Sequence, residues 1–178
     1  MLKAAVGSAD TRLVVLRGDS GSGKTTTAKA LRPLLGTKTA VIHQDYFRRE
    51  LLAGAEKASR SADAAVLIEA TARRSLDLGY DVILDGVFNL RDYRELLEQL
   101  WHDHVGATRI YQFDVGFDET VRRHRMRSLR HAFSADQMRE WYDGWQPLEF
   151  VEEGRVGPEE SLDHLVARIV ADLKQIAP

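Results

Sequence analysis

Gly18-Asp-Ser-Gly-Ser-Gly23-Lys24-Thr25 stands between an apolar run, Leu13–Leu16, and a segment that reads as a helix from Thr25 to Leu35. The pattern G-x-x-x-x-G-K-[ST] constrains this chain more than any other feature, because its chemistry needs a strand before it and a helix after it. Glycines let successive backbone N–H groups turn inward around an anion. The positive end of the following helix points at the same anion. Gly18, Asp19, Ser20, Gly21, Ser22 and Gly23 form the cradle. Lys24 is placed to reach the β and γ oxygens, the Thr25 hydroxyl to bind Mg²⁺, and Thr26 to donate to the α-phosphate. A nucleoside triphosphate, ATP with Mg²⁺, is the expected ligand.

Three more apolar runs read as strands: Thr39–Ile42, Val82–Leu84 and Arg109–Val115. Helical patterns alternate with them. Residues 47–78 read as helix broken around Ser59–Ser61, and Arg91–His104 has one apolar face. Glu119–Arg130 reads as a basic helix, and Ser134 with Gln137 as a capping box for a helix reaching Tyr142. Leu162 to Leu173 repeats at 3.6 spacing. Alternating strands and helices imply an α/β fold, a parallel sheet with helices on both faces. The 178 residues show no linker or composition shift, so residues 1–178 read as one domain.

Composition narrows the function classes. No Cys excludes disulfides, thiol nucleophiles and Cys-ligated zinc, and suits a cytoplasmic setting. His102 and His104 flank Asp103, but an i, i+2 pair on a helix does not face one metal. Residues 1–10 lack the apolar core of a signal peptide, and no run is long enough to span a bilayer. A net charge of −2 argues against wholesale capture of nucleic acid or membrane. No Asn-Lys-x-Asp guanine reader and no Leu-Ser-Gly-Gly-Gln-type signature occurs, which disfavours a GTPase switch and a transporter ATPase.

The remaining polar residues suggest phosphoryl transfer. Asp45, in His43-Gln-Asp-Tyr-Phe47 at the end of the second strand, is placed to accept the proton of an attacking hydroxyl. Arg48 and Arg49 follow as substrate candidates, and Asn89 as a weaker one. Asp85 ends the third strand, where a carboxylate can hold Mg²⁺ beside Thr25. Arg122, Arg123, Arg125, Arg127 and Arg130 crowd one segment, and Arg123, Arg127 and Arg130 share a helix face. That face is expected to be a lid over about 122–134, its charge covering the γ-phosphoryl. Trp141 and Trp145, at helical spacing, are expected to pack beneath it.

These segments together resemble the small P-loop kinases that include zeta-toxin-like kinases, chloramphenicol phosphotransferase and the kinase domain of polynucleotide kinase. The matching residues are Gly18–Thr25, Gln44-Asp45-Tyr46, Val82-Ile-Leu-Asp85 and Phe113-Asp-Val115 running into Glu119-Thr-Val-Arg-Arg123. The resemblance implies a P-loop NTPase fold of about five strands, the fifth from around Phe150 to Val156. It also implies an ATP:hydroxyl phosphotransferase with Asp45 as general base and Arg48 or Arg49 near the acceptor. Arg127 would lie on the γ-phosphate with Arg123 one turn before it, and Arg130 on the nucleotide. A small-molecule alcohol is the expected acceptor. The alternatives are a 5′-hydroxyl polynucleotide end, or a non-catalytic nucleotide-gated regulatory module.

Overall fold

The first three apolar runs form adjacent parallel strands of one sheet, as a computed structural model describing residues 5–56, 59–125 and 134–175 shows. The strands are β1 (Arg12–Gly18), β2 (Thr39–His43), β3 (Asp81–Asp85), β4 (Ala107–Phe113) and β5 (Gly154–Val156), in the order β2-β3-β1-β4-β5. All neighbouring pairs are parallel. This is the P-loop NTPase sheet, with helices α1 (Lys24–Leu35), α2 (Gln44–Tyr46), α3 (Arg60–Asp77), α4 (Leu90–Asp103), α5 (Phe117–Arg125), α6 (Ala135–Glu140) and α7 (Leu162–Lys174). A π-helical turn, Phe47–Leu51, continues α2.

The central strands are apolar throughout because both of their faces are covered. Leu13, Val15, Val82 and Leu84 meet the Ala64/Ile68/Ala72/Leu76 stripe of α3 and the Tyr93/Leu96/Leu97/Leu100 face of α4. Val14, Leu16 and Ile83 point the other way, onto Ala28 and Leu31 of α1 and Leu165, Val166 and Ile169 of α7. Strand alternation thus divides one run of leucines and valines between two cores. Each such side chain, once buried, contributes about 1.5–3 kcal/mol.

The far edge departs from the expectation of a strand over Phe150–Val156. Only Gly154–Val156 pairs with β4, while Phe150 and Val151 pack against the α4-side core. The cause is a buried ion pair. Arg17, 1% exposed, donates from Nη1 to both oxygens of Glu153 at 2.8 and 2.9 Å, and to the Gln146 carbonyl at 2.9 Å. Glu153 also accepts from the Leu148 N–H at 2.8 Å, so the chain bends inward before β5 begins.

The Trp141/Trp145 pair does not share a helix. α6 carries the Ser134/Gln137 capping box but stops at Glu140, and Gly144 follows at φ +67°. Arg155 lies over the Trp145 ring at 4.9 Å. Tyr142 packs edge-on against Phe117, with centroids 5.4 Å apart. Among the described residues no helix is long and apolar enough to cross a membrane.

Candidate active site

Because the strands are parallel, their C-terminal ends share one edge, the crevice where ligands bind in such sheets. Register puts Asp85 level with Leu16 and His43 level with Asp85. β1 ends at Gly18 (φ +131°), where a Cβ would sit 2.5 Å from the Phe113 carbonyl oxygen, so only glycine permits the turn. The chain then climbs to Gly23, which caps α1 at φ +116° without any side-chain hydrogen bond. The first N–H groups of a twelve-residue helix are therefore left to face a ligand. Lys24 folds into the loop and donates to the Asp19 carbonyl at 2.7 Å and to Ser22 Oγ at 3.1 Å. Thr26 is exposed on the same first turn.

Thr25 and Asp85 are in contact. The Thr25 hydroxyl donates to Asp85 Oδ2 at 2.8 Å, and His43 Nδ1 lies 2.8 Å from the same oxygen. Asp85 is 5% exposed. A hydroxyl and a carboxylate at the mouth of a phosphate loop are hard oxygen donors that suit Mg²⁺, which keeps several waters and takes one or two protein ligands. Among the described residues no group of three or more His, Asp or Glu could enclose a metal ion. The residues present fit an ion that keeps part of its water shell.

Asp45 lines the same pocket as Lys24, Thr25, His43 and Asp85. Its carboxylate is solvent-exposed and accepts from Arg49 Nε at 3.2 Å. Gln44, just before it, is 1% exposed, and its Oε1 accepts from the Val87 N–H at 2.7 Å. Behind Gln44 lies Tyr93, fully buried, whose hydroxyl faces Gln44 and Ser61 and feels the charge of Arg48. Gln44 Nε2, Arg48 Nε and the Tyr93 hydroxyl are all buried, and none closes a well-formed hydrogen bond within the described residues, although Gln44 and Ser61 lie near enough to the Tyr93 hydroxyl to lower its pKa. An unmet buried donor costs about 1–3 kcal/mol. Burial pushes the Tyr93 phenol pKa up, so it stays protonated at neutral pH.

Three of the residues singled out in the sequence have hydrogen-bond partners of their own. Asn89 caps α4, accepting from the Asp92 N–H at 3.0 Å and donating to the Asp92 carboxylate at 3.3 Å. Asp19 lies in the phosphate loop, but its carboxylate faces away. It accepts from the N–H groups of Asp143 and Gly144, both at 2.9 Å, and burial raises its pKa despite those bonds. Arg123, expected on the lid face, is held against the phosphate loop. Its guanidinium donates to the Ser22 carbonyl at 2.8 Å, the Pro158 carbonyl at 3.3 Å and Glu119 at 2.5 Å. Arg127 and Arg130, with most of the expected lid, lie outside the described residues.

Arg123 belongs instead to a groove on the other side of Gly23, lined by Thr26, Arg122, Val156, Gly157 and Glu160. Gly23 borders both this groove and the Asp45 pocket, so one extended ligand can cross the loop between them. Hydrogen bonds from Arg122 and Arg123 hold the Glu119 carboxyl down to about 2. The groove wall from Val156 to Glu160 carried no motif. The clasp of Gln44 on Val87 had no local signal either, since the partners are 43 residues apart.

The pattern that defines the AAA domain family matches residues 13–146. No curated protein matches the sequence. Among solved structures, the chain is similar to the Mycobacterium tuberculosis APS kinase in complex with AMPPNP and APS. The TM-score is 0.71 at 20% identity, covering 96% of this chain and 99% of that one. It is similar to a gluconokinase from Sinorhizobium meliloti 1021, with a TM-score of 0.66 at 19% identity, covering 96% and 93%. It also aligns with a chain of the Pnkp1/Rnl/Hen1 RNA repair complex, with a TM-score of 0.57 at 18% identity, covering 84% of this chain and 51% of that one. The shared fold is the finding common to all three.

Proposed function

The chain belongs to the AAA domain family, and from that premise we infer that it is a kinase transferring the γ-phosphoryl group of ATP to a hydroxyl of a small molecule. The observation that carries this reading is the pocket holding Lys24, Thr25, Asp85 and Asp45 together at the sheet edge. A nucleotide-gated module would need the first three but has no use for Asp45.

ATP lies with its nucleoside along the groove of Thr26, Arg122 and Val156, and its phosphates over the N-terminus of α1. Lys24 exchanges its loop oxygens for phosphate oxygens. Thr25 and Asp85 would hold Mg²⁺, which when bound would neutralise phosphate charge. Asp45 accepts the proton of the acceptor hydroxyl as the new O–P bond forms, and ADP leaves with the electrons of the broken bond. Arg49 orients the Asp45 carboxylate. Arg127 and Arg130 are assigned to the transferring phosphoryl and the nucleotide, and Arg123 fixes α5 to the loop.

The likeness to APS kinase, gluconokinase and Pnkp1 supports the reaction class and leaves three kinds of acceptor to compare. The test is transfer of labelled γ-phosphate from Mg·ATP to an acceptor, found by mass spectrometry in a cell extract. Asp45→Asn is expected to lower transfer by about 10²–10⁴-fold with ATP affinity unchanged, whereas Lys24→Ala weakens both. Undiminished transfer in Asp45→Asn removes the assigned base. A product appearing only on a 5′-hydroxyl oligonucleotide, and fading with salt, replaces the small molecule by a nucleic acid end.

A further inference from the structure

Three unusual features meet one helical turn behind Asp45. The chain there forms a π-helical turn, Phe47–Leu51, a shape that occurs mostly at functional sites. Phe88, three residues past Asp85, adopts φ +43°, in the left-handed region that a bulky side chain avoids. It is fully buried and packs edge-on against Tyr93, with ring centroids 5.3 Å apart. At the same place are three buried donors that close no well-formed hydrogen bond among the described residues, Gln44 Nε2, Arg48 Nε and the Tyr93 hydroxyl.

Buried donors and acceptors are normally matched, and an unmatched set at one place calls for explanation. Each of these groups is able to donate, the Tyr93 oxygen can also accept from Gln44 or Ser61, and Arg48 carries a full positive charge. Gln44 is anchored through its other amide atom to Val87, a residue of the Asp45 pocket. Its N–H₂ therefore cannot turn away without breaking that bond. The requirement left over is for oxygen that accepts several hydrogen bonds and is negative. A carboxylate or phosphate meets it, with bidentate geometry available from a guanidinium.

Resting on the kinase reading, we propose that the acceptor is an anionic polyol, whose carboxylate or phosphate is bound by Arg48, Gln44 and Tyr93 while its hydroxyl faces Asp45. The π turn is the element that shifts to admit the anion, because it carries Arg48 and ends in a loop rather than a continuous helix. Specificity then follows from the donors. A neutral polyol leaves the Arg48 charge unmatched and is bound less tightly.

The experiment measures binding of matched probes by calorimetry to protein saturated with AMPPNP, so that the phosphate loop is already filled. The pairs are gluconate against sorbitol and glycerol 3-phosphate against glycerol, which separate carboxylate from phosphate. At least one anion is expected to bind about 10–100-fold more tightly than its neutral partner. Arg48→Met removes that preference. Tyr93→Phe weakens the anion about 3–10-fold while leaving AMPPNP affinity and the melting temperature no lower than in the wild type, since it also removes an unmet hydroxyl. Equal affinity within both pairs, or a preference that survives Arg48→Met, overturns the proposal. So does anion binding that AMPPNP competes away. Phosphoryl transfer to a neutral polyol in preference to either anion refutes the anion site and leaves the kinase standing. Anion binding without transfer to any acceptor refutes the kinase and leaves the site.

Discussion

Asp19 occupies a variable position of the phosphate-loop pattern, yet it holds the segment after α6 in place through two backbone N–H groups. Asp19→Ala orphans both, and is expected to lower stability by about 1–3 kcal/mol. The neighbouring Ser20→Ala is expected to stay within about 0.5 kcal/mol. Urea unfolding of both variants checks this, and equal midpoints would contradict the clasp. At this scale the sequence was legible where a residue type has one task. Lys24 and Thr25 are read from the motif, and Asp85 from its place at the end of an apolar strand. It was not legible where a side chain has several possible partners, as with Arg123, whose guanidinium is held by Glu119 and by backbone carbonyls of Ser22 and Pro158. Nothing in the spacing of an arginine cluster distinguishes a lid from a strut.

At the scale of elements, periodicity identified the helices because each has one buried face. α4 and α7 match their apolar patterns closely. Boundaries followed capping chemistry, as Asn89 illustrates. As the N-cap of α4 it has a defined worth: Asn89→Ala is expected to cost about 0.5–2 kcal/mol, and Asn89→Asp to restore most of it. Thermal unfolding measures both. An acceptor-binding amide would behave differently, since aspartate would fail to rescue turnover. The fifth strand was the least legible element. Its three paired residues are too few for a pattern, and its place is set by the pull of Arg17 on Glu153 across the sheet edge.

On the scale of the whole molecule, His104 ties the segment before β1 to β4. Its ring lies 3.0 Å from Thr11 Oγ1 and 2.7 Å from Thr108 Oγ1. Burial lowers its pKa to about 4 from an ordinary 6.5. A base with a depressed folded-state pKa binds more protons when unfolded, so its contribution is complete above about pH 6.5. It declines as pH falls toward 4, by an amount on the order of 3 kcal/mol. His104→Gln should flatten the loss of urea stability across that window, and parallel wild-type and variant profiles would refute the assignment. The sequence by itself determined the fold class, the order of elements and the phosphate loop. Each of these rests on periodicity or on a motif confined to neighbouring residues. Only the tertiary structure decided that Thr25 meets Asp85 across 60 residues, that Asp19 holds Gly144 across 125, and that the donors behind Asp45 close no well-formed hydrogen bond among the described residues. Such pairings are chosen by the packing of whole elements against a sheet, and a hydrogen-bonding side chain carries no local mark of the distant partner it will meet.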